Sequence, residues 1–164
     1  MGERGVRNLP SVSGAQTVLV LLADIDARAR LWGYARFVIG VRALRHEPGL
    51  SFAKVLGSGH EGGFGLRPSV SRQGLLCVFD DADHATEFVE RSPVARAYRD
   101  HAREFLSVHL RAFSSRGSWS GTRFPVTVAA PADGAIAGLT RASIKPHLAP
   151  KFWRRAPPAE RALA

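Results

Sequence analysis

Apolar positions along this chain change period several times, and each change marks an element. Residues 17–23 (Thr-Val-Leu-Val-Leu-Leu-Ala) form a continuous apolar run of strand length. Asp24 and Asp26 follow, either able to accept the orphan N–H groups of a helix start. The next pattern predicts a helix to about Glu47, stopped by Pro48-Gly49. On that helix Ala29, Gly33, Arg36, Gly40, Ala43 and Glu47 fall on one stripe, while Leu31, Trp32, Tyr34, Phe37, Val38, Ile39, Val41 and Leu44 fill the rest of the circumference. A stripe of small residues lets a neighbour approach the helix axis, either a helix or partner subunit packed tightly or a ligand in a groove.

Residues 51–57 and 73–79 read as the second and third strands, with a glycine-rich loop between them. Asp80-Asp81-Ala82-Asp83 then opens a helix with carboxylates at its positive end. That helix breaks at Ser92 and restarts at Pro93, a residue suited to a first turn. Residues 107–113 alternate as a fourth strand, with Val108, Leu110 and Ala112 on one side and His109, Arg111 and Phe113 on the other. The order β-α-β-β-α-β is that of a ferredoxin-like α+β unit. We therefore divide the chain into a flexible tail over 1–15, a ferredoxin-like domain over 16–121, and a region over 122–164. In that last region a linker leads to a strand over 135–144 and a Pro-interrupted helix over 146–163, the expected start of a second, incomplete repeat.

Composition narrows this picture. The 164 residues can bury one real core, and an apolar share of 45% is ordinary for a globular protein. The single cysteine, Cys77, excludes an internal disulfide; within Leu75-Leu76-Cys77-Val78-Phe79 it reads as a buried strand residue in a cytoplasmic protein. The run at 18–23 is too short to span a bilayer and ends in Asp24, so membrane contact is expected to be peripheral, at the inner membrane. A formal charge of +9 suits an anionic surface, but the arginines are scattered. The third strand lacks the basic-aromatic signature of RNA recognition motifs, so nucleic acid is not expected as a partner.

Candidate chemistry sits on histidines and loops. No two of the six histidines have zinc-motif spacing. Val94, Tyr98, His101 and Phe105 share a predicted helical face, which places the His101 imidazole in apolar surroundings. Two roles stay open for it: a core histidine satisfied by a hydrogen bond, or a neutral axial ligand of haem iron. His109, on the fourth strand, is the second candidate. The loop Gly57-Ser58-Gly59-His60-Glu61-Gly62-Gly63-Phe64-Gly65 is neither a P-loop nor a dinucleotide fingerprint, since neither Gly-Lys-Ser/Thr nor a helix follows. Arg67 and Arg116 can each hold a carboxylate bidentately, and Trp32, Phe64 and Trp119 can supply flat apolar walls. No nucleophile elbow is present.

Four segments together resemble the spheroidene monooxygenases, the acyclic carotenoid ketolases. They are Pro48-Gly49-Leu50-Ser51-Phe52-Ala53-Lys54-Val55-Leu56-Gly57-Ser58-Gly59, Gly63-Phe64-Gly65-Leu66-Arg67-Pro68, Ser115-Arg116-Gly117-Ser118-Trp119-Ser120-Gly121, and Leu139-Thr140-Arg141-Ala142-Ser143-Ile144-Lys145-Pro146 with Phe152-Trp153-Arg154-Arg155. The resemblance runs from about residue 16 to 158. It implies a dimeric α+β-barrel fold, a haem cofactor, molecular oxygen and an external electron donor such as ferredoxin. It also implies oxidation of an acyclic carotenoid to a keto-carotenoid by successive hydroxylation of one carbon. With that cofactor, His101 becomes the expected metal ligand, His109, Arg67 and Arg116 the expected haem contacts, and Trp32, Phe64 and Trp119 the expected substrate contacts. A non-catalytic module of the same fold that binds haem or a small apolar ligand is the alternative. A homo-oligomer is expected, because a cut-off second unit would expose a sheet edge or helix face.

Overall fold

The computed structural model describes residues 16–59, 68–126, 128–140 and 147. Its strands are β1 (Thr17–Ile25), β2 (Leu50–Gly59), β3 (Pro68–Phe79) and β4 (Ala102–Arg111), and its helices are α1 (Arg30–Ile39), α2 (Ala82–Arg91) and α3 (Pro93–Asp100). All neighbouring strands pair antiparallel, in the sheet order β2-β3-β1-β4. That is the ferredoxin-like arrangement expected from the sequence.

Register explains which residues are buried. Leu19 lies opposite both Cys77 and His109, and Leu21 opposite both Leu75 and Ser107, so these positions share one side of the sheet. On this side Leu19, Leu21, Ala23, Ile25, Leu75, Cys77 and Phe79 are buried beneath the helices, with Ala85 and Phe88 of α2 and Ala95 and Tyr98 of α3. Each large side chain so buried contributes about 1.5–3 kcal/mol. Alternate residues point the other way: Val18, Val20 and Leu22 of β1, Leu76 and Val78 of β3, Leu106, Val108 and Leu110 of β4, and Phe52, Lys54 and Leu56 of β2. This second side is also apolar. Phe52 is met there by Trp119 and Phe124 at centroid distances of 5.6 and 5.0 Å. Leu22 and Leu106, toward the other end, remain about half exposed.

Several boundaries differ from expectation for local reasons. The first α-helix ends at Ile39, because Gly40 turns the backbone to φ +56°, and the chain continues to Leu44 as a 3-10 turn that buries the Leu44 side chain. The small-residue stripe therefore does not run to Glu47. Its centre, Gly33, lies on the sheet: a Cβ there would come within 2.8 Å of Gln73 Nε2 and 3.4 Å of Ile25. Asp26 accepts from the Arg28 amide and caps the short 3-10 turn Ala27–Ala29 that leads into α1. The break between α2 and α3 is as expected, with the Ser92 hydroxyl capping α3 and Pro93 at its first position. β4 begins at Ala102, five residues early, so Phe105 belongs to a strand. The residues expected to form a fifth strand are exposed and irregular over 135–140, and 141–144 lie outside the described residues. The tail over 1–15 and all but His147 of the expected last helix also lie outside them.

Candidate functional site

The site builds around Trp32, whose ring leans from α1 over the C-terminus of α3. His101 is not on a helical face, as the spacing suggested; it is the C-cap of α3, with φ −102° and ψ 0°, where the chain turns into β4. Its backbone N–H bonds to Ala97 O and its carbonyl accepts from the Asp26 amide at 2.8 Å, tying the α3–β4 corner to the end of β1. The imidazole stacks on Trp32 with centroids 4.4 Å apart and planes 6° apart. Nδ1 lies 2.7 Å from Ala97 O, and a carbonyl can only accept, so Nδ1 carries the proton and donates. In the neutral ring Nε2 is then the acceptor nitrogen. This is how a backbone partner fixes the tautomer and orientation of a ligating or proton-accepting histidine.

Two more groups meet Trp32. Tyr98 approaches edge-on at 5.2 Å, and the Arg36 guanidinium lies 5.1 Å from the ring centroid. The Tyr98 hydroxyl is buried without a hydrogen-bond partner, as are Arg36 Nε and Gln73 Oε1. Burial pushes the phenol up to about 12, against the lowering influence of the Arg36 charge. Beside this stack opens a cleft of about 430 Å³ lined by Asp26, Arg28, Ala29, Trp32, Asp100 and His101. Its walls are more polar than the dry pocket expected for His101, and its cation is Arg28. Neither Arg28 nor the acidic pair was singled out from the sequence as a site residue. The only available signal was Asp26 beside the strand end, and it marked a cap.

The remaining candidates do not converge here. His109 sits on the helix-covered side of the sheet but on edge strand β4, where much of it is exposed, and desolvation of the rest holds its pKa below the ordinary imidazole value. Trp119 packs on Phe52, whose partner Val78 belongs to the opposite side of the sheet from Trp32. Trp32 and Trp119 therefore cannot wall one pocket. Arg116 is exposed in the loop after β4, and Arg67 and Phe64 lie outside the described residues. Among the described residues no three His, Cys, Asp or Glu side chains are placed to hold a metal ion. For haem the fit is at the donor: a neutral imidazole whose Nδ1 is anchored to a backbone carbonyl would offer Nε2 to iron.

A second cavity, about 180 Å³, lies between the turn before β2 and the α2–α3 corner, lined in part by Glu47, His84, Glu87, Phe88 and Ser92. Its polar groups are spent on each other. Ser92 Oγ donates to Glu47 Oε1 at 2.6 Å while accepting from the Val94 amide, and His84 Nδ1 lies 2.9 Å from Asp81 Oδ2. These contacts cap helices and seat the loop.

No family model matches the chain. It is 48% identical over 153 residues to the spheroidene monooxygenase of Rubrivivax gelatinosus, covering 93% of this chain and 60% of that protein. To the spheroidene monooxygenase of Rhodobacter capsulatus it is 37% identical over 129 residues, 77% of this chain and 54% of that one. The chain thus spans between half and two thirds of the length of these relatives. Among solved structures, SnoaB, a cofactor-independent oxygenase from Streptomyces nogalater, superposes with a TM-score of 0.45 at 14% identity, covering 60% of this chain and 94% of that one. A dimeric ferredoxin-like protein of unknown function from Jannaschia gives a TM-score of 0.41 at 14% identity over 60% of this chain and all of that one.

Proposed function

Over the stretch that it shares with them this chain belongs to the spheroidene monooxygenase family, and on that premise we propose that it acts in the oxygenation of an acyclic carotenoid. The observation that carries the reading within this chain is the His101–Trp32 stack beside the cleft, with Nδ1 committed to Ala97 O. Each hydroxylation consumes one O2, two electrons and two protons, converting a C–H bond to C–OH and releasing one water. A second hydroxylation at the same carbon gives a geminal diol, which loses water to become the ketone. The electrons come from an external donor such as ferredoxin.

In this reading His101 Nε2 is the iron donor, and haem, when bound, supplies the activation of O2. The protein's part is positioning. The Ala97 carbonyl would hold the imidazole tautomer and Trp32 its plane, and the expected role of Arg67 and Arg116 would be to pair with the propionates. The uncovered sheet side, with Leu22 and Leu106 half exposed, pairs with a second copy. Sedimentation of a monomer at micromolar concentration would refute that pairing.

The test is spectroscopic first. Protein purified from haem-supplied cells should carry a Soret band, lost in His101→Ala and kept in His109→Ala, with circular dichroism unchanged in both. Full haem in His101→Ala would overturn the ligand assignment. Incubation with an acyclic carotenoid, O2 and a reductant should yield the keto product; a Soret band with no turnover would instead favour a haem-binding module.

A further inference from the structure

α1 is built inside out. Its inward side holds Gly33, its one buried position, with the half-buried Trp32 and the flank of Arg36 beside it. Its outward side carries the large apolar chains. Leu31 and Val38 are 86% and 85% exposed, and Tyr34 and Phe37 are nearly half exposed beside them. Ile39 and Val41 extend the strip on either side of Gly40. Leu31, Tyr34 and Val38 fall at helical spacing on one line, so this is a continuous ridge along the helix axis.

Along residues 27–46 the charge has one sign, although Asp26 and Asp100 line the cleft beside Arg28. Arg28 and Arg30 at its start and Arg42 and Arg45 at its end are all exposed, and residues 27–46 contain no Asp or Glu. None of these four guanidinium groups is paired with a carboxylate of a described residue. The carboxylates cluster elsewhere, with Asp80, Asp81, Asp83, Glu87, Glu90, Asp100 and Glu104 on and around α2 and α3.

We propose that the α1 ridge is a docking surface for an anionic phospholipid bilayer, in which Leu31, Tyr34 and Val38 enter the interface while Arg28, Arg30, Arg42 and Arg45 meet the headgroup phosphates. An apolar strip with arginines at both ends matches the physics of an interfacial helix, where apolar burial and attraction to anionic lipid act together. The ten residues of α1 cannot cross a bilayer, and no described helix is long and apolar enough to do so, so the helix lies in the plane of the surface. A second copy is the poorer occupant of this face, since self-pairing would bring eight arginines together without one carboxylate from the same segment. The proposal does not depend on the catalytic reading: lipid binding requires no cofactor and no turnover.

The full chain should be mixed with vesicles of phosphatidylcholine alone and with vesicles containing 30–50% phosphatidylglycerol (about the range in which such surfaces attract basic helices), and separated by flotation. Binding is expected on the anionic vesicles only, and should weaken as salt is raised. Neutralising Arg30, Arg42 and Arg45 to Gln should reduce partitioning about fivefold per residue. Leu31→Asp with Val38→Asp should abolish it while circular dichroism and Tm stay unchanged, because both side chains are already in water. Failure of the wild-type chain to float with anionic vesicles overturns the proposal. So does an aspartate double variant that binds them as well as wild type, or one that converts a wild-type dimer to monomer while vesicle binding persists.

Discussion

α1 and the α2–α3 pair cover the same side of one sheet, yet they meet it with opposite sides of themselves. In α2 and α3 the volume points inward: Phe88 packs on Phe79 at a centroid distance of 5.3 Å, Tyr98 and the two buried alanines fill the space beside it, and Glu87 and Arg91 pair outward at 3.1 Å. In α1 the only buried residue is a glycine; Trp32 is half-buried, and Leu31, Tyr34, Phe37 and Val38 face water to a large extent. The pair is held by burial, whereas α1 is held by close approach at Gly33, the Trp32 stack and the Leu44 anchor behind it. A helix whose outward residues do nothing for the fold has a surface free to serve something else.

The sharpest way to break this contrast is to truncate both helices. Phe88→Ala should cost about 3–5 kcal/mol in urea unfolding, and Leu31→Ala should stay within about 0.5 kcal/mol. Equal losses would mean that α1 is packed like its counterpart. Next in size is the joint between the two regions. Gly49 adopts φ +65°, and a Cβ there would lie 2.5 Å from the His84 ring. Gly49→Ala should therefore cost about 2 kcal/mol, combining left-handed strain with displacement of a ring, and the His84 resonances should shift on NMR. Ser92→Ala removes the α3 cap and orphans Glu47, for a loss of about 1–2 kcal/mol.

The smallest expected effect lies at the root of α1, at Asp24, the last residue but one of β1. Burial opposes its charge, but hydrogen bonds from Ser71 and Arg103 and the charges of Arg103 and Arg72 prevail, so its pKa lies below the ordinary carboxylate value. The unfolded chain then binds the proton more readily. The stabilisation is complete above about pH 4 and is lost as pH falls through the lower folded value. Arg103→Gln should flatten this acid limb of a Tm-against-pH curve.

Much of the fold was legible because strand periods are local. β1 reads as a continuous apolar run since both sides of a central strand are apolar here, and the Ser92-Pro93 break declares itself chemically. The end of α1 was hidden because the apolar pattern continues through Leu44 although Gly40 has already left the helix. His101 was misplaced for a related reason: Tyr98, His101 and Phe105 suit a helical face, yet a single capping residue divides helix from strand between them. The stack on Trp32 is a contact between segments far apart in sequence, and no period encodes it. That Trp32 and Trp119 fall on opposite sides of the sheet was equally hidden, because loop composition carries no information about which side a loop returns to.

The strand order has a consequence for the life of the chain before it is folded. β1 emerges first, but its two partners are β3 and β4, with Thr17 finally opposite both Phe79 and Arg111. Local hairpin closure is open only to β2 and β3; the central strand must wait for the last one. At synthesis rates of about 5–20 residues per second, an apolar run with two unpaired edges stays available for several seconds on the ribosome. Folding should accordingly be slow for a domain of this size, and the nascent β1 is the segment that a cell would have to shield.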